Sequence, residues 1–199
     1  MDIKYTQLNI GCLSRNKFWG EPQDNPQRTA VCTSTLIALE GGEFLLVDPG
    51  LPYEHMKECI FNRRGVSIEL VKAIFITHFH GDHLIDLDRY DCPIYASKEE
   101  IALVKSPLPF VAKPYENPFP GIKAIVLPGH TPGIAGLEFV SDGFNVLVAG
   151  DIVMTKDFYL SGEGFHNNAD MEALAQSLRY INDNYDIVVP GHDVQFFVK

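Results

Sequence analysis

The chain has 199 residues and carries 16 Lys and Arg against 26 Asp and Glu, a formal charge of −10 with His neutral. That balance, with no run of basic residues, gives no electrostatic footprint for a phosphate backbone and repels anionic lipid, so nucleic acid and membrane surfaces are set aside as partners. Hydrophobic residues at 46% and charged residues at 21% predict one globular domain over residues 1–199 with a sizeable core. The N-terminus lacks a basic stretch leading into an apolar run, and about 18 consecutive apolar residues occur nowhere, so a soluble, cytoplasmic protein is expected. Cys12, Cys32, Cys59 and Cys92 are widely spaced and form no C-x-x-C, which reads as reduced, mostly buried thiols.

In chain order, residues 14–29 come first as an extended polar loop with Pro22, Pro26 and the single Trp19. Thr33–Leu39 and Phe44–Val47 flank Gly41-Gly42 and predict a hairpin. Pro52 to Arg64 predicts a helix with Pro in its first turn, Met56 and Ile60 on its buried face, His55 in solvent, and Gly65 as the stop. Val71–Ile76 is an apolar run of strand length. Ser97, with Glu100 three positions on, predicts a capping box opening a helix over Lys98–Val104. Residues 106–121, with five prolines, predict a second long loop. Ile122–Leu127, Ala135–Val140 and Phe144–Ala149 read as strands, the last two joined at Ser141-Asp142-Gly143. Ala169–Asn182 is periodic at helical spacing through Met171, Leu174, Ala175, Leu178 and Ile181, a core face, and Ile187–Val189 is a last short buried strand.

The informative segment is Thr77-His78-Phe79-His80-Gly81-Asp82-His83, directly after the strand at 71–76. Three imidazoles and a carboxylate within six positions offer a metal both nitrogen and harder oxygen donors. Four further polar residues repeat one placement, each just beyond an apolar strand: Asp48 after 44–47, His130 after 122–127, Asp151 after 144–149 and His192 after 187–189. Strand C-terminal ends are where α/β sheets assemble their ligand sites.

The order Asp48, His-x-His-x-Asp-His at 78–83, His130, Asp151 and His192 resembles the metallo-β-lactamase superfamily, and the resemblance runs from the hairpin to His192. It implies an α/β (α+β) fold, a four-layer αββα sandwich, with a dinuclear metal site at the sheet edges. Carried over position by position, His78, His80 and His130 would hold one ion and Asp82, His83 and His192 the second. Asp151 would bridge the two, and Asp48 would lie behind the ligands and fix their orientation. The implied cofactors are two divalent metal ions, zinc first, with manganese or iron as alternatives. A bridging hydroxide would be the nucleophile, and Asp82 and Asp151 would be the catalytic carboxylates.

Departures from the patterns of individual branches narrow the activity. Asp151 stands where the zinc β-lactamases lack a bridging Asp, and His80 stands where flavodiiron oxidoreductases carry an acid. Leu84-Ile85-Asp86 replaces the Gly-Gly usual in hydroxyacylglutathione hydrolases, and seven residues after His192 leave no room for their substrate domain. A compact metallo-hydrolase of a small ester, thioester or lactone is expected, acting alone or as a homodimer. A phosphodiester hydrolase of the same fold and a mononuclear-iron persulfide dioxygenase are the alternatives. Phe18 and Trp19 in loop 14–29 are candidate lid residues, and Tyr159, Glu163 and His166 are candidates to position substrate or protonate a leaving group.

Overall fold

The computed structural model describes residues 2–164 and 168–198, so His166 lies outside the described residues. Two sheets face each other. The first has six strands in the order β1 (Tyr5–Asn9), β2 (Ser34–Ala38), β3 (Phe44–Val47), β4 (Val71–Phe75), β5 (Ile94–Ala96) and β6 (Ala112–Pro114). The second runs β11 (Phe196–Phe197), β10 (Ile187–Pro190), β9 (Phe144–Gly150), β8 (Ala135–Ser141) and β7 (Lys123–Val126). Helices α1 (Tyr53–Arg64) and α4 (Met171–Asn184) cover the outer faces, and the short helices α2 (Lys98–Ile101) and α3 (Lys156–Ser161) sit near the sheet ends.

The layering follows from strand periodicity, because successive side chains of a strand point to opposite faces. On β3, Leu45 and Val47 join Phe75, Leu137, Phe139, Val146 and Val148 in the core between the sheets. Phe44 and Leu46 turn outward with Ile74 to meet Met56 and Ile60 of α1. On the far side Leu147, Ala149 and Val188 meet Ile181 and Tyr185. The fold is thus the expected four-layer αββα sandwich. Each Leu or Ile so buried contributes roughly 1.5–3 kcal/mol of transfer free energy.

Strand direction places the site. β3 and β4 are parallel, with Val47 opposite Phe75, and β9 and β10 are parallel, with Gly150 opposite Pro190. β7 is antiparallel to β8, which is antiparallel to β9, so β7 ends at the same edge as β9. The residues that follow β3, β4, β7, β9 and β10 therefore converge on one rim of the sandwich.

Some expectations change. The helix after Ser97 is one turn, ending at Ile101 rather than Val104. Met171 is exposed, because it stands at the first position of α4, ahead of the turns that meet the sheet. The four cysteines are free, but only Cys32 is buried and the other three are half-buried. Strand β1, the strands β5, β6 and β11 of two or three residues each, and the helix α3 are additional to the sequence reading. Loop 106–121 contributes β6, and loop 14–29 contains a helical turn at Lys17–Trp19. No helix among the described residues is long and apolar enough to cross a membrane.

Candidate metal centre

Seven side chains meet at the rim in two clusters, His78, His80, His130 and Asp151 in one and Asp82, His83 and His192 in the other, each with donor atoms within 4.8 Å of one another. The segment after β4 supplies four of them. Two residues separate His78 from the end of the strand at Phe75, His80 is extended, and a helical turn over Gly81–His83 swings Asp82 and His83 back beside His78. The rings of His78 and His80 are 4.6 Å apart, so both imidazoles face one side, as the spacing suggested.

The donor distances test whether a cation fits. Two ligands about 2.0–2.1 Å from a tetrahedral zinc ion are about 3.3 Å apart. His130 Nε2 lies 3.2 Å from His78 Nε2 and 2.8 Å from His80 Nδ1. Asp151 Oδ2 is 3.4 Å from His130 Nε2 and 3.7 Å from His78 Nε2. Its other oxygen, Oδ1, is 3.3 Å from His83 Nε2 and 3.2 Å from His192 Nε2, and His192 Nε2 is 3.5 Å from Asp82 Oδ2. Asp151 thus offers one oxygen to each cluster. His83 Nε2 and Asp151 Oδ1 are also buried without a hydrogen-bond partner, although they face each other. Buried polar atoms are rarely left so, and an ion between them would satisfy both. The residues present therefore fit a metal pair.

The surroundings hold these groups in place. Asp48, buried and with φ of 49°, accepts from Thr77 N–H at 2.8 Å and from the Thr77 hydroxyl at 2.7 Å, and its Oδ2 stands 2.9 Å from His83 Nδ1. His192 Nδ1 donates to the Val31 carbonyl at 2.9 Å, which leaves Nε2 for the site. A side chain at Gly191 would place Cβ 2.0 Å from Asp151 Oδ1, so only glycine lets that carboxylate lie against the end of β10.

The two clusters differ in what acts on their imidazoles. Burial lowers the His78 pKa well below the ordinary histidine value and that of His130 to about 4, so both keep free lone pairs at neutral pH. Burial opposes charge on His83 and His192 as well, but neighbouring acidic groups, Asp151 common to both, outweigh it and raise both. Asp151 is held well below the carboxylate range by His192 and His83, against its own burial. Burial raises the Cys32 thiol to about 11, so it stays neutral beside the cluster.

Among the remaining candidates, Tyr159 packs on Phe196 with centroids 5.3 Å apart, and it lines a small cleft with Glu163 and Asp151. Glu163 pairs with Lys17, and Phe18 stacks on Phe158 at 5.0 Å, so loop 14–29 is docked on α3. Trp19 is exposed and stacks on Arg28. His55 is exposed on α1, as expected. The sequence reading missed three residues. Asn168 Oδ1 lies 3.2 Å from His130 Nδ1, and Thr77 carries the bonds to Asp48. Glu100, read only as a helix cap, instead directs its carboxylate to Phe79 and Thr131. None of the three has a local pattern that would announce it.

Residues 28–101 match the family described as the metallo-beta-lactamase superfamily. A Caenorhabditis elegans protein, beta-lactamase-like protein 2 homolog, is 30% identical in an alignment of 174 positions that covers 80% of this chain and 55% of that protein. This chain thus spans little more than half of that relative. A probable metallo-hydrolase of Streptococcus pyogenes is 28% identical over 176 residues, covering 74% of this chain and 73% of its own. A solved N-acyl homoserine lactone hydrolase, with N-hexanoyl-L-homoserine bound at its catalytic metal center, is similar with a TM-score of 0.69 and 19% identity, over 98% of this chain and 95% of that one.

Proposed function

Because the chain belongs to the metallo-β-lactamase superfamily, we propose that it is a metal-dependent hydrolase of small esters, thioesters or lactones. His78, His80 and His130 would hold one ion, Asp82, His83 and His192 the other, and Asp151 both. When bound, such a pair supplies an acidified water as nucleophile and an electrophile for the substrate carbonyl, with no need of a Ser or Cys.

The observation that carries the substrate class is a cleft of about 500 Å³ that opens at His80 and His130, with Phe79, Leu103, Val104 and Leu108 in its wall. An apolar wall desolvates and orients an acyl or alkyl arm, leaving the carbonyl at the imidazoles. Among the described residues Lys105 is the one Lys or Arg lining the cleft, too few to clamp a phosphodiester backbone. The net charge of −10 points the same way. Of the two carboxylates, Asp82 is the more open, with 23% of its side chain exposed against 5% for Asp151. On this reading Asp82 is the carboxylate that would hold and pass on a proton during hydrolysis.

The test is a panel offered to the purified, metal-loaded protein: a hexanoyl ester, a hexanoyl thioester, a hexanoylated lactone and bis(p-nitrophenyl) phosphate. Turnover of acyl substrates with little of the phosphodiester is expected. Turnover of the phosphodiester alone would replace this reading with a phosphodiesterase. Oxygen uptake with a persulfide and a single iron per chain would replace it with a dioxygenase.

A further inference from the structure

Helix α2 is one turn long, yet its Glu100 and its N-cap Ser97 reach the loops that carry the first cluster. Glu100 is buried, with 3% of its surface exposed. Its Oε1 accepts from the main-chain N–H of Phe79 at 3.0 Å, between His78 and His80. Its Oε2 accepts from the Thr131 hydroxyl at 2.6 Å, next to His130. One carboxylate therefore ties together the two loops that supply all three histidines of that cluster. Ser97 completes the tie by donating to the Gly133 carbonyl at 2.5 Å while accepting from Glu100 N–H at 2.9 Å. The 128–133 loop lies so close to α2 that a Cβ on Gly133 would fall 2.3 Å from Glu100 N.

We propose that Glu100, which also lines the cleft beside His80 and His130, is a positioning residue that sets the spacing of those two histidines, and through it the affinity of the first metal site, without itself ligating the metal. The proposal rests on the metal-ligand reading of His78, His80 and His130. A carboxylate suits the position because it accepts two hydrogen bonds at once, one from a main-chain donor and one from a hydroxyl, and both tighten when the acceptor is charged. The second cluster has no contact with this carboxylate among its described hydrogen bonds, because Asp48 and main-chain carbonyls support it instead. The effect of Glu100 is therefore confined to one of two sites.

The experiment is titration of the chelator-stripped full chain with Co²⁺, followed by calorimetry and by the visible d–d bands. The parent protein, Glu100→Ala, Glu100→Gln, Thr131→Val and His80→Ala are compared. His80→Ala identifies the first site by the binding step that it removes. Glu100→Ala is expected to weaken that same step by roughly 10–100-fold, the range for loss of a group that orients metal ligands, and to leave the other step unchanged. Glu100→Gln keeps an acceptor for Phe79, and its amide can donate to the Thr131 hydroxyl, so it is expected to recover most of the affinity. Thr131→Val removes one of the two ties and is expected to weaken the same step by less than Glu100→Ala does. If Glu100→Ala does not fold, Glu100→Gln and Thr131→Val still decide the matter. Equal weakening of both steps in the variants, or no weakening in Thr131→Val, would overturn the clamp. If His80→Ala removes no binding step, the ligand assignment itself fails, a separate outcome.

Discussion

In the first cluster the imidazole nitrogens that face away from the site meet neutral side chains, Thr77 Oγ1 for His78 and Asn168 Oδ1 for His130. In the second they meet a carboxylate and a main-chain oxygen, Asp48 Oδ2 for His83 and the Val31 carbonyl for His192. The electrostatics follow the construction. Burial dominates at His78 and His130 and keeps them neutral, whereas acidic partners dominate at His83 and His192 and favour a proton. The same residue type, buried to a similar degree, is thus set in two environments: in one cluster burial favours the neutral ring, in the other nearby acidic groups favour the charged one. Asp151 lies between them, with one carboxylate oxygen toward each.

The largest effect should come from breaking the residue they share. Asp151→Asn is expected to lower turnover of the best acyl substrate by more than about 100-fold and to reduce metal content below two ions per chain, as read by steady-state rates and elemental analysis. Full activity with both ions retained would show that the clusters are not joined through this carboxylate. A smaller effect separates the clusters. Asp48→Asn keeps an acceptor for Thr77 N–H but presents an amide donor to His83 Nδ1, which moves the ring proton to the nitrogen facing the site. Affinity at the second site should fall by roughly 10–100-fold while the first holds. Loss at both sites in the same titration would mean that Thr77, not the His83 tautomer, is what Asp48 controls.

The smallest effect concerns the cleft, which opens beside the first cluster. Leu103→Asp should flatten the rise of kcat/KM along an acetyl-to-octanoyl ester series, where each buried methylene contributes up to about fourfold, or about 0.8 kcal/mol. The acetyl ester should be little affected. An unchanged slope would place the acyl arm elsewhere.

Much of this arrangement was legible in the sequence because its signals are dense. His78, His80, Asp82 and His83 fall within six positions, and Asp48, His130, Asp151 and His192 each follow an apolar run whose direction the parallel pairing then fixes. The sandwich was legible only through the family resemblance that those residues carry; strands such as 44–47 and 146–149 agree with it, being apolar and buried on both faces, as layers covered on two sides must be. What escaped was either too short to show a period, as with β5, β6 and β11, or defined by a partner distant in the chain. Glu100 illustrates the second case. Ser97-x-x-Glu100 has the form of a capping box, and Ser97 does accept from Glu100 N–H, but the glutamate turns away to a loop 31 positions later. No local rule predicts that choice, since it depends on the 128–133 loop lying across α2.

Whether the two clusters sharing Asp151 form one dinuclear centre is decided by anomalous diffraction at the metal edges from crystals of the metal-loaded protein. Two peaks about 3.5–4 Å apart are expected, one among His78, His80 and His130 and one among Asp82, His83 and His192, with the Asp151 carboxylate between them. A single peak at full occupancy, with the other cluster closed on its own hydrogen bonds, would contradict a dinuclear centre.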